Sequence, residues 1–134
     1  MHHQVGKGSV WQAAIDLFPL NRGNAYDGLA CLFGIRNTFG FRPVAEGRGF
    51  PHDASKGLVS EFAAYGGADD AYGATWLTWA EVASVDWMET DSSGTRSRGM
   101  AAGDESDWGR VWSVMRILSE VHGAQNVRLF VWFH

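Results

Sequence analysis

The sequence predicts a single α+β domain: a small, mainly antiparallel sheet, made by an N-terminal hairpin and a C-terminal strand, packed with three to four helices. Three observations carry that expectation. Residues 126–134, from Asn126 through Val127, Leu129, Phe130, Val131, Trp132 and Phe133 to His134, are β-branched and aromatic with apolar groups on both faces, the pattern of an interior strand. Such a strand needs neighbours on both edges, and residues 2–5 and 10–15, on either side of Gly6-Lys7-Gly8-Ser9, are the segments that suit. Ahead of it, Trp108, Val111, Trp112, Met115 and Leu118 recur at helical spacing, with Val114, Ile117 and Val121 widening the stripe.

The N-terminal segment has a second reading. Ser9 and Gln12 can form a capping box for a helix bearing Trp11, Ala14, Ile15 and Phe18, but the hairpin is preferred because it supplies the neighbours that the last strand requires. A helix begins near Asn24, places Tyr26, Leu29, Ala30 and Phe33 on one face, and ends by Asn37 and Gly40. Another opens at Asp53 or Ser55 after a proline-fixed turn and carries Leu58, Val59, Phe62 and Tyr65 to Gly66-Gly67, with the last helix as its partner across the core. Trp76 and Leu77 lead in extended form into a short helix through a Thr78-to-Glu81 capping box, with Leu77 and Val82 as a hydrophobic staple. Met88 to Glu105 is small and polar, a long mobile loop at about 88–105. Asp104, Glu105 and Asp107 then complement the dipole of the last helix, which Gly123 stops as a left-handed cap.

With 134 residues, 46% of them hydrophobic and 19% charged, the chain fits one domain, 1–134, with a real core and no long disorder. Seven Trp and eight Phe are an excess that serves either a core or an interface. A net charge of −4 and an isoelectric point of 5.6 disfavour direct nucleic-acid binding. A lone Cys31 forms no internal disulfide and, flanked by apolar residues, is expected to be an inert buried thiol. With no signal peptide or membrane-length apolar run, the expected location is the cytoplasm, without membrane association.

Motifs for chemistry are sparse, so no catalytic residue, metal ligand or cofactor is assigned. His52-Asp53 is the best candidate pair, although Asp53 suits a helix N-cap, and Asp69-Asp70 reads as a solvated turn. His122 and His134 have no ligand spacing, Gly6-Lys7-Gly8-Ser9 lacks the upstream glycine of a phosphate loop, and His2 and His3 carry no weight as ligands. The strongest functional feature is an acidic group of Asp86, Glu89, Asp91, Asp104, Glu105 and Asp107 against only Arg96 and Arg98, a surface that would be steered toward a basic partner.

Four blocks carry a resemblance: Asn24-Ala25-Tyr26-Asp27-Gly28-Leu29-Ala30 with Gly34-Ile35-Arg36-Asn37; Pro43-Val44-Ala45-Glu46-Gly47-Arg48-Gly49-Phe50-Pro51-His52-Asp53-Ala54-Ser55; Ala74-Thr75-Trp76-Leu77-Thr78-Trp79-Ala80-Glu81-Val82; and Val127-Arg128-Leu129-Phe130-Val131-Trp132-Phe133. Together they resemble a family of uncharacterised phage and prophage proteins, over most of the chain and in the same order. The resemblance implies a phage-related origin and no established activity. Members of that family often begin with an Asp-Ile-His strand and carry a His-Ser-x-Ser stretch, where this chain has Met1-His2-His3-Gln4-Val5 and Ala71-Tyr72-Gly73-Ala74-Thr75. The family's central insertion is replaced by the stretch from Met88 to Glu105.

Three expectations follow. The first is a phage-derived, non-enzymatic binding protein, a monomer or weak homodimer. It would inhibit a host defence complex in the manner of anti-CRISPR proteins by occupying the basic surface of a protein or ribonucleoprotein. The second is a small metal-dependent hydrolase or nuclease that brings His52, Asp53, Asp69 and Asp70 together. The third is a structural or regulatory module that self-associates through exposed Trp residues.

Overall fold

A computed structural model describes residues 2–7, 10–16, 26–64, 66–67 and 72–133. Strands β1 (His2–Lys7) and β2 (Val10–Asp16) form the N-terminal hairpin, followed by helices α1 (Tyr26–Phe33) and α2 (Lys56–Ala64). Strand β3 (Tyr72–Thr78), helices α3 (Trp79–Ala83), α4 (Arg98–Ala102) and α5 (Gly109–His122), a 3₁₀ turn at Ala124–Asn126 and strand β4 (Val127–Phe133) complete the chain. The four strands run antiparallel in the order β2-β1-β4-β3, so the molecule is the small α+β fold expected and β4 is interior.

β3 corrects the expectation that residues 2–5 and 10–15 alone flank the last strand. Thr75, Trp76, Leu77 and Thr78 pair with Val131, Phe130, Leu129 and Arg128. Gly73 at φ +66° and a break in register between Tyr72 and Thr75 disguise the strand, because its first residues do not keep a two-residue alternation.

β4 divides the interior. Val127, Leu129, Val131 and Phe133 face a cluster built with Phe33, Leu77, Val111, Trp112 and Met115, whereas Phe130 and Trp132 face Leu58, Phe50 and Phe62. Helices α1 and α5 therefore cover one face of the sheet and α2 the other. The last helix is not the partner of α2 across one core: helical periodicity identifies the apolar side of α2 but not the face of the sheet that receives it. Full burial of Trp112, Phe33, Leu129 and Met115 makes the first face the larger store of stability, at about 1.5–3 kcal/mol for each large apolar side chain.

Element ends follow local chemistry, with some shifts. α1 stops at Gly34 (φ +71°), earlier than Asn37 and Gly40; Asn37 instead closes the next loop by donating to the Phe41 carbonyl at 2.7 Å and accepting from the Phe41 amide at 3.0 Å. The proposed cap at Asn24 lies outside the described residues. Ser55, whose Oγ accepts from the Leu58 amide at 3.2 Å, caps α2, so Asp53 is not the N-cap. The Thr78–Glu81 capping box is present in both directions. Gly123 ends α5 at φ +92° and ψ 146°, a glycine-favouring but extended conformation rather than a left-handed helical one. Ile117 and Val121 are exposed, which narrows the fully buried stripe of large residues on α5 to Val111, Trp112 and Met115, with buried Trp108 just ahead of it.

The stretch from Met88 to Glu105 is not one continuous loop. Thr90 and Ser97 form an antiparallel bridge, Ser97 caps α4 by accepting from the Met100 amide, and Ala101 and Ala102 are buried. Its polar composition concealed this order because side-chain-to-backbone hydrogen bonds, rather than apolar mass, hold it.

Candidate functional site

The acidic group divides by role. Asp91 is 6% exposed, and its Oδ1 accepts from the Ser93 hydroxyl at 2.7 Å and from the Ser93 and Thr95 amides at 3.0 and 3.1 Å, which holds the carboxyl below the usual range. Glu89 accepts from Arg42 and lies 3.0 Å from Arg98; the Arg42 hydrogen bond is the largest cause of its lowered pKa. Both carboxylates are spent on organising the loop. Asp86 is exposed and accepts from the Met88 amide at 3.0 Å.

Asp104, Glu105 and Asp107 remain exposed between α4 and α5. Their backbone is fixed from beneath. Trp112 Nε1 donates to the Ala102 carbonyl at 2.6 Å, the Ser106 hydroxyl donates to the Gly103 carbonyl at 2.6 Å, and the Trp108 amide donates to Ser106 Oγ at 3.1 Å. Gly109 passes so close to the preceding turn that a Cβ there would lie 2.0 Å from the Asp104 carbonyl oxygen.

Asp104 and Glu105 form a ridge between two depressions. One contains Trp87, Met88, Ser97 and Met100; the other contains Asp107, Arg110, Ser113 and Arg116. Met88 and Met100 are 82% and 69% exposed, so the first depression has flexible apolar side chains beside a carboxylate rim. Arg116 Nη2 lies 3.7 Å from Asp104 and offsets part of the charge on the second side. The structure thus brings Asp104, Glu105 and Asp107 onto one surface and separates Glu89 and Asp91 from it by function.

The residues considered for hydrolysis do not form a comparable group among the described residues. Asp53 Oδ1 pairs with Arg128 Nη1 at 2.9 Å; burial pulls its carboxyl upward, but the hydrogen bond and charge of Arg128 outweigh this and hold it below the ordinary value. His52 is exposed, and Asp69, Asp70 and His134 lie outside the described residues. Cys31 is fully buried, and desolvation pushes its thiol up to about 12, the inert state expected. His122 is exposed at the end of α5.

On the α2 side of the sheet, sequence reasoning missed two polar groups. Arg128, 3% exposed, donates through Nε to Gln4 Oε1 at 2.5 Å and stacks 3.9 Å from the Trp11 ring centroid. At the start of β1, His2 pairs in register with Asp16, and its Nε2 lies 2.7 Å from Glu61 Oε2 on α2. The ligand-type atoms of His2, Asp16 and Glu61 all lie within 4.8 Å of one another. The hairpin register was the available signal, since it sets residue 2 opposite residue 16.

No protein-family model, curated protein or solved structure matches this chain. No helix among the described residues is long and apolar enough to cross a membrane.

Proposed function

We propose that the chain is a small non-enzymatic binding protein that docks a basic surface of a partner on the Asp104–Glu105 ridge. The observation that carries this reading is the conjunction of exposed Met88 and Met100 with exposed carboxylates on a backbone held by buried and half-buried hydrogen bonds. Carboxylates steer a basic partner and fix its register, while methionines adapt to the apolar parts of what docks. Together with the resemblance to phage proteins, this supports a partner among host defence complexes that carry nucleic acid in a basic groove, met in the host cytoplasm. Self-association through exposed Trp loses its support, because all seven Trp residues are buried or half-buried.

The test compares the wild-type chain with the triple variant Asp104→Lys, Glu105→Lys, Asp107→Lys as baits in nuclease-treated lysate of a host with active defence systems. A nucleic-acid-binding complex recovered by the wild type and reduced about ten-fold or more by charge reversal is the expected result. Equal recovery by both baits would overturn the reading.

A further inference from the structure

We propose that His2, Asp16 and Glu61 form a binding site for a divalent transition cation of the zinc or manganese class. The site is independent of the acidic ridge: it lies on the α2 side of the sheet, where the start of β1, the end of β2 and the middle of α2 converge.

Donor chemistry is the first support. One imidazole and two carboxylates supply a nitrogen and two oxygens, the set that suits zinc and manganese, whereas copper prefers more nitrogen or sulfur and calcium more oxygen. Bonds of about 2.0–2.2 Å to a tetrahedral ion place ligand atoms about 3.3–3.6 Å apart. Atoms already within 4.8 Å reach that spacing through small side-chain rotations, and both carboxylates are at least partly exposed.

The second support is the contact between His2 and Glu61. Nε2 of His2 is buried and makes no hydrogen bond, although Glu61 Oε2 stands 2.7 Å away. The lone pair of a neutral imidazole facing a carboxylate at that distance is repulsive unless a positive charge lies between them. A proton on Nε2 is one such charge, but the poor hydrogen-bond alignment wastes it. A metal ion displaced toward Asp16 satisfies all three donors, and its double charge balances both carboxylates.

The surroundings are the third support. Trp132, with its ring centroid 6.0 Å from that of His2, limits the rotation of the imidazole. Asp16 is exposed, so an ion has access from solvent and keeps open coordination positions for water. The nearby cation on this face, Arg128, is engaged by Asp53 and Gln4. Bound metal would clip the hairpin to α2 and couple metal binding to the stability of both.

The test uses the full-length chain without a polyhistidine tag, stripped with EDTA and titrated calorimetrically with zinc chloride and manganese chloride near neutral pH. One equivalent of at least one metal is expected, together with a rise in Tm. Asp16→Asn and Glu61→Gln, at positions the fold leaves partly exposed, should each weaken binding about ten-fold or more and together abolish the Tm rise. Circular dichroism establishes that the variants are folded. Failure of both metals to bind the wild type, or undiminished binding by the folded double variant, would overturn the proposal.

Discussion

β4 presents Val127, Leu129, Val131 and Phe133 to one face of the sheet and Arg128, Phe130 and Trp132 to the other. On the first face, α1 and α5 close over a largely apolar cluster, and the ring of His3 is buried against the Val111 backbone. On the second, α2 covers aromatic residues flanked by the Arg128–Asp53 ion pair and by the 2.7 Å approach of His2 Nε2 to Glu61. The difference teaches that neighbouring residues of one strand can owe their stability to unrelated forces. One face depends mainly on apolar volume, and the other adds matching charges that are partly out of water.

The largest expected effect probes the exception on the apolar face. His3 is fully buried, and desolvation lowers its pKa from 6.5 to about 4. The unfolded chain therefore takes up a proton between those values that the folded chain refuses, so this contribution is complete above pH 6.5 and is lost as pH falls toward 4. The span corresponds to about 3 kcal/mol. Urea unfolding across that range should show the loss, and His3→Leu, which puts an apolar side chain of similar size in its place, should flatten it. An unchanged pH slope in the variant would assign the loss to other groups.

The charged face responds differently. Asp53→Ala leaves the buried Arg128 guanidinium with its hydrogen bond to Gln4 and its stacking on Trp11, and should cost about 2 kcal/mol, at the low end for a broken buried pair because water reaches Asp53. Arg128→Met removes the charge as well and should cost less, since burying an apolar side chain relieves the desolvation that weighs on the guanidinium. Urea midpoints of the two variants decide the order, and the reverse order would mean that stacking on Trp11 rather than charge holds this position.

The smallest effect lies where β3 meets α3. Thr78→Ala removes one half of the capping box, while Glu81 keeps Arg48 at 2.6 Å, so the expected loss is about 1 kcal/mol with an unchanged dependence on denaturant.

What was legible in the sequence was local. The Thr78–Glu81 box, the Gly123 stop, the N-terminal hairpin and the two-sided apolar character of residues 127–133 each depend on neighbours a few positions apart. What was not legible depends on how elements meet. The face of the sheet taken by α2, the pairing of β3 behind its irregular start, and the role of Arg128 inside an apparently apolar strand are all set by tertiary contacts. The acidic residues show the same limit: composition counted Glu89 and Asp91 with Asp104 and Glu105, whereas only coordinates reveal that the first two are satisfied by the loop they organise. The hairpin register sets His2 opposite Asp16, but a helix from the middle of the chain supplies Glu61, the third member.

The close passage of Gly109 beneath Asp104 separates what can vary on the ridge from what cannot. Any side chain at residue 109 collides with the Asp104 backbone, yet Asp104, Glu105 and Asp107 point outward and can be exchanged without disturbing the turn that carries them. Such a segment is evolvable in a specific sense: its frame resists mutation while its charges are free to drift. A lineage under pressure from changing partners could rewrite this surface one residue at a time without passing through an unfolded intermediate.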